Sequence, residues 1–493
     1  MYNIIKKLLS PSGELVGGLL FSLSAFSQSP IGPLPLPKQV EWQKMETYAF
    51  VHYGLNTFTD KEWGYGDADP KTFNPSRMDV EQWVRTFKQA GMKGVIIVAK
   101  HHDGFAMWPS QLTEYNITKS AYNGPKNKDG KVDVLAELRK ACDKYGLKMG
   151  IYLSPWDRNH AEYGRQAYVD YYHQQLTDLV TNYGPLFEVW LDGANGGDGY
   201  YGGAREKRKI DRRNYYNFPR IHSIILEHQP EAIIFSDGGP GCRWVGNERG
   251  EAGPTNWAFL RKDDVYPGYP NKKDLEQGQT DGDTWIPAEC DVSIRPGWFY
   301  HPDEDAKVKT PEQLTDLYYK SVGRNATFLL NFPVDREGRV NAIDSANAVR
   351  FRQMIEEDMN TDLLRKAKVT ASSERGRKFS ARKLTDGKWD TYWATPDGEN
   401  TGAVTFTFKK PTRVNRLLLQ EYIPLGQRVK AFTVEALVGD KWQMVEAGEP
   451  TTTIGYKRIL RFPTIEASAV RISVTDARGP LCFNNISAYF ANR

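Results

Sequence analysis

The chain has 493 residues, 40% of them hydrophobic and 26% charged. That length calls for two or three domains, and that composition suits a soluble protein with a large core. Its 65 basic and 61 acidic residues leave a formal net charge of +4, which speaks against nucleic-acid binding and against a polybasic membrane patch. Aromatic residues reach 12%, with 13 Trp and 26 Tyr; sugar faces stack on such rings, although a large barrel also buries many of them.

Residues 1–27 read as an export signal: Lys6 and Lys7 precede an apolar stretch over 16–26 that is too short to span a bilayer, and Ala25-Phe26-Ser27 resembles a cleavage site. An exported, periplasmic or extracellular protein is expected, with no membrane span in the mature chain. Residues 29–37 are Pro-rich and read as a linker. The four cysteines, Cys142, Cys242, Cys290 and Cys482, form no CxxC or Cys/His metal pattern.

From about residue 45 to 335, short β-branched and aromatic runs alternate with amphipathic helical patterns. The runs fall at 48–52, 94–99, 149–153, 187–191, 232–235 and 326–330, with helices at 80–90, 132–145 and about 168–183 between them. This alternation predicts a parallel sheet, and its length predicts a (β/α)8-like barrel over 28–360. His101-His102-Asp103, Asp192 and Ser236-Asp237 directly follow predicted strands, where barrel enzymes build their sites. Over 361–493, short alternating strands separated by turn residues predict an all-β sandwich.

Asp192 ends an apolar strand and is followed by Gly193. A carboxylate there can attack an anomeric carbon or cap the next turn, and local sequence does not separate the two. His101 and His102 are adjacent on an extended segment and point apart, which disfavours a shared metal and favours recognition of sugar hydroxyls. The loop at 242–251 and the stretch at 285–299 concentrate acids, arginines and aromatics.

Taken in order, His52-Tyr53-Gly54, Lys100 to Phe105 with Trp108-Pro109-Ser110, and Trp190-Leu191-Asp192-Gly193 resemble glycoside hydrolase family 29, the α-L-fucosidases. The segments 243–248 and 288–299 resemble its subgroup that prefers α-1,3 and α-1,4 branches. The resemblance implies a retaining enzyme acting on fucosylated oligosaccharides through two carboxyl groups. It places the nucleophile at Asp192 and implies sugar contacts at His52, Glu62, Trp63, His101, His102, Tyr152, Trp190, Arg243 and Trp298. For the acid/base, Glu248, Glu251 and Glu289 compete; Gly246-Asn247-Glu248 matches the subgroup pattern and is preferred. No metal or cofactor is expected in catalysis. A non-catalytic fucose- or galactose-binding barrel, or a hydrolase of another sugar, is the alternative.

Residues 371–373 and 384–393 resemble the discoidin, or coagulation-factor C-type, domain. That implies a sugar-binding module or a rigid support, and a structural calcium site at Asp386 and Thr391. The acidic ligand usual near the last strand is missing, with Asn484, Asn485 and Ser487 in that stretch.

Overall fold

The computed structural model describes residues 28–193, 200–201 and 206–493; the predicted export signal lies outside them. Eight strands form a closed parallel barrel: β1 Thr47–Val51, β2 Gly94–Lys100, β3 Lys148–Leu153, β4 Leu186–Trp190, β5 Ile233–Ser236, β6 Cys242–Trp244, β7 Ala288–Ser293 and β8 Ala326–Asn331. Each pairs with the next, and β8 closes on β1. The predicted runs are strands within one residue at either end.

Two barrel strands were not anticipated. The segment 242–244, read as loop, is β6, and 288–293, read as a charged stretch, is β7. Neither shows an apolar run, because β6 has three residues and the inward positions of β7 are Glu289, Asp291 and Ser293. β5 reaches β6 through a five-residue return without a helix, fixed by Gly241 N donating to Ile234 O at 2.9 Å.

Outside the barrel lie α1 Val80–Gln89, α2 Val134–Tyr145, α3 Gln166–Asn182, α4 Phe218–His228, α5 Pro311–Lys320 and α6 Ala342–Asp358. Asp79 and Asp133 cap α1 and α2 by accepting from the backbone N–H of Gln82 and Ala136, which satisfies otherwise orphaned donors. The largest apolar core lies between helices and strands, through Trp83, Phe87, Leu138 and Leu179. A second fills the barrel interior with Tyr48, Phe50, Val98, Tyr152, Trp190 and Phe235. The short helix Pro37–Gln43 plugs the lower end, where Trp42 enters the interior.

The C-terminal region is an antiparallel β-sandwich with its own core. Two 20-residue strands, Gly402–Glu421 and Arg458–Ala477, run along it, each joining two segments predicted as separate strands; register shifts between Thr407 and Thr412 mark the bend. It is stitched to the barrel: Tyr456 N donates to Asn325 Oδ1 (2.8 Å), and Glu46 accepts from the hydroxyls of Tyr318 (3.0 Å) and Tyr456 (2.8 Å). The predicted linker is docked on the sandwich, with Ile31 N donating to Leu425 O at 3.0 Å.

Candidate active site

Strand alternation builds the site in layers. On β4, Glu188 points into the barrel core, Trp190 forms the floor of the mouth, and Asp192 stands at the strand's exit. On β1 the series is Tyr48, Phe50, His52; on β7 it is Glu289, Asp291, Ser293. The upper members open into a cavity of about 510 Å³. Its inner side is lined by Phe50, His52, His101, His102, Tyr152 and Trp190, and Trp63 lies at its edge.

The histidines are neutral hydrogen-bonding groups. Burial lowers His52 and His102 to about 3, and His101 is also lowered, by burial and by its histidine neighbours. Asn331 gives its amide hydrogens to Ser293 Oγ and Trp298 O, both at 2.9 Å, so its Oδ1 faces His52 Nδ1 at 2.9 Å, which must carry the proton. Ser154 donates to Trp156 O at 2.8 Å and therefore accepts from His102 Nδ1 at 2.7 Å. Both rings then turn an acceptor Nε2 away from these partners, suited to sugar hydroxyls. Tyr152 donates to Asp192 Oδ2 at 2.7 Å, while His102 Nε2 stands 3.7 Å from the same oxygen.

Across the cavity stand Trp244, Glu248, Asp291 and Trp298. Burial first, and then the charge of Asp192, push the Glu248 carboxyl up; Trp298 Nε1, donating to Oε2 at 3.2 Å, opposes this. Asp291 is pushed well up by burial with Glu248 and Glu289 nearby, and accepts from Trp244 Nε1 at 2.9 Å. Asp237, after β5, is raised to about 7, mainly by burial. It sits so near Gly193 that a Cβ on that residue would lie 2.1 Å from Asp237 Oδ2, which explains the glycine after Asp192.

Four predicted residues stand elsewhere. Arg243 does not line the cavity: flanked by inward Cys242 and Trp244, it faces out of the barrel. It is fully buried, donating to Leu275 O (2.7 Å), Trp257 O (2.9 Å), Asn256 Oδ1 (2.8 Å) and Ile286 O. Glu62 acts one step back, accepting from the backbone N–H of Trp298 (2.8 Å) and Phe299 (3.1 Å), which fixes the loop carrying Trp298. Glu251 pairs with Lys320 at 3.0 Å, away from the cavity. Glu289 lies a layer too deep, accepting from Trp190 Nε1 (2.8 Å) and the Tyr48 hydroxyl.

Glu289 and Glu188 form a buried carboxyl pair beside Cys242, the three offering ligand atoms within 4.8 Å of one another. Burial pushes both carboxyls up, and Glu188 well up, with Glu289 beside it adding to the rise. Their oxygens already accept from Trp42, Trp190 and Tyr48, so this is a proton-sharing pair under the floor rather than an open metal cage.

Sequence reasoning placed Asp237 at a strand end without giving it a role, and missed Asp291, Trp244, Tyr269, Lys272 and Arg212 as lining residues. Asp237 carried the same strand-then-acid signal as Asp192, and Asp291 the period-two signal from Glu289. The long-loop residues carried none. The four cysteines are buried and unbridged, and among the described residues no helix is long and apolar enough to cross a membrane.

A parallel barrel with opposed carboxyl groups and neutral histidines at its mouth, followed by an all-β domain, defines a barrel glycoside hydrolase. Residues 32–354 match the family described as Alpha-L-fucosidase, and 368–488 match the F5/8 type C domain. The chain belongs to the α-L-fucosidase family, glycoside hydrolase family 29. It is 40% identical to Alpha-L-fucosidase 1 of Arabidopsis thaliana over 475 residues, covering 93% of this chain and 90% of that one. Among solved structures, a glycoside hydrolase 29 family member from an unknown rumen bacterium is 45% identical at a TM-score of 0.84, covering 94% of this chain and 78% of the other. A Ruminococcus gnavus GH29 fucosidase in complex with fucose is 32% identical at a TM-score of 0.84, covering 95% and 97%.

Proposed function

We propose that this α-L-fucosidase is a retaining exo-enzyme releasing terminal α-1,3- or α-1,4-linked fucose from branched oligosaccharides. The reading rests on one observation: Asp192, accepting from the Tyr152 hydroxyl, and Glu248, its carboxyl pushed up by burial, line the same cavity. Asp192, steadied by the Tyr152 hydroxyl, attacks the anomeric carbon as Glu248 gives its proton to the leaving oxygen. The bond to the leaving oxygen breaks as the Asp192 ester forms. Water then attacks the anomeric carbon, losing its proton to Glu248, and the bond to Asp192 breaks, which restores the carboxylate and frees fucose with its configuration retained. The raised Glu248 keeps its proton at a pH where an ordinary carboxyl has lost it.

The histidine acceptors would hold the fucose hydroxyls, and Trp298 would cover an apolar face of the sugar. Similarity to a fucosidase solved with fucose supports this assignment. The test is Asp192→Asn assayed on a Lewis-type trisaccharide, with the anomer of released fucose followed by NMR for the parent. Loss of about 10⁴-fold in kcat with folding intact is expected. Unchanged turnover in the variant, or inverted product from the parent, overturns the reading.

Export follows from the signal-like segment at 1–27, which secretion of a full-length fusion tests. In the sandwich the Asp386 carboxylate, accepting from the Thr391 hydroxyl at 2.8 Å with Lys383 Nζ 3.7 Å away, and Asn484 Oδ1 are the oxygens that calcium would take. Asn484 donates to Trp389 O at 3.3 Å, and its buried Oδ1 has no hydrogen-bond partner among the described residues. Calcium is expected to raise the melting temperature and a chelator to reverse this. An Asp386→Ala variant with the same calcium response as the parent would sink the assignment.

A further inference from the structure

Beside Glu248, on which Lys272 acts, the cavity has an outer wall made of loop residues. Because Glu248 marks the leaving oxygen in the fucosidase reading, this outer part faces the leaving sugar. It is lined by Arg212, Gly268, Tyr269, Pro270 and Lys272, drawn from two loops distant in sequence: the segment leading into α4 and the long β6–β7 connection.

The two loops form one rim. The Arg213 guanidinium stacks 4.9 Å over the Tyr266 ring and donates to Asp263 O at 3.4 Å; Tyr266 meets Tyr269 edge-on at 5.8 Å. Lys272 Nζ lies 5.3 Å over the Trp244 ring, inside the cavity wall. Between 206 and 213 the chain places Lys207, Arg208, Lys209, Arg212 and Arg213 against only Glu206 and Asp211. Glu206 is paired with Arg208, and Asp211 is engaged by Asn214 at 2.7 Å. Lys207, Lys209, Arg212 and Lys272 are exposed.

Lys272 already acts on Glu248 and Asp237, and Asp192 lines the same cavity at its inner side. Burial drives Glu248, Asp291 and Asp237 toward their neutral forms. A neutral aglycone would gain only hydrogen bonds from Arg212 and Lys272, whereas an anion on it would also meet two cations lining one cavity from two loops.

We propose that the preferred leaving group carries an anionic sugar, bound through a sulfate ester or a sialic acid carboxylate by Arg212 and Lys272. This rests on the fucosidase reading and adds the substrate class. The hydrolytic step is unchanged; only recognition of the aglycone differs.

The test compares kcat/KM for a neutral Lewis-type trisaccharide with its 3-O-sulfated and its sialylated counterparts, at low and high salt. The parent and an Arg212→Ala/Lys272→Ala double variant are both assayed. At low salt the parent is expected to favour at least one anionic substrate by several-fold per cation, about tenfold together. That ratio should collapse toward one in the double variant and fall with added salt. Preference for the sulfated substrate alone, or the sialylated one alone, supports the proposal and names the anion. A parent that prefers the neutral trisaccharide, or a ratio untouched by the double variant, overturns it. Absence of fucose release by the parent from all three trisaccharides would instead overturn the activity beneath it.

Discussion

The floor and the far wall of the cavity are built on different plans. The floor is made of strand residues locked by rings and carboxyls: Trp190 stacks on Phe235 at 3.9 Å and 9°, meets Tyr152 at 5.2 Å, and donates to Glu289 beneath it. The wall is made of loops that hold one another. Glu248 follows β6, receives the Trp298 indole from the loop after β7, and that loop hangs on Glu62 from the loop after β1. The barrel thus gives Asp192 a fixed mount, while Glu248 owes its setting to three separate segments.

Breaking the wall should cost the most where leaving-group protonation matters. Glu248→Ala is expected to lower kcat/KM on an oligosaccharide by about 10²- to 10⁴-fold, and far less on an aryl fucoside whose leaving group needs no proton. Equal losses on both substrates would remove Glu248 from the acid role. Breaking the floor should show in stability first. Glu289→Ala strands the Trp190 indole N–H, at about 1–3 kcal/mol, while the Tyr48 hydroxyl keeps Thr327 Oγ1 at 2.9 Å. Urea unfolding should register this, and Glu289→Gln should be milder because it keeps an acceptor. An Ala variant as stable as the parent would show the floor is not held from below.

The subtlest change separates charge from shape in the wall. The Trp298 hydrogen bond favours ionised Glu248, so Trp298→Phe should raise that carboxyl further. Since the acid works protonated, the decline of kcat/KM at high pH should move to higher pH. An unmoved or lowered limb would show that this indole does not tune Glu248.

The same contrast explains what the sequence made legible. Six barrel strands announced themselves as β-branched and aromatic runs in which single inward polar residues such as Glu188 are too few to break the pattern, and Asp192 stood out because a carboxylate ends such a run. β7 was hidden because the site itself occupies it: Glu289, Asp291 and Ser293 alternate inward, so function erased the apolar signal. Reading β6 as a strand would also have turned Arg243 outward, since Cys242 and Trp244 face in. The depth of Glu289 was beyond alternation, which gives a face but not a layer; strand tilt and stagger set the layer. Lys272 and Arg212 reach the cavity through long loops, whose path no local pattern encodes.

Arg243 has a wider meaning as a tie. It grips the carbonyls of Leu275 and Ile286 at the base of the long β6–β7 connection, and also Asn256 Oδ1. Asn256 in turn gives its amide to Arg324 O at 2.8 Å and its backbone N–H to Thr453 Oγ1 of the sandwich at 2.7 Å, while Ala258 N donates to Gln427 Oε1 at 2.9 Å. The C-terminal domain therefore supplies acceptors at the foot of the excursion whose crest carries Lys272. A chain cut before residue 361 would leave those donors bare, so in this molecule the second domain is no detachable accessory: it is part of the scaffolding on which selection of the leaving sugar stands.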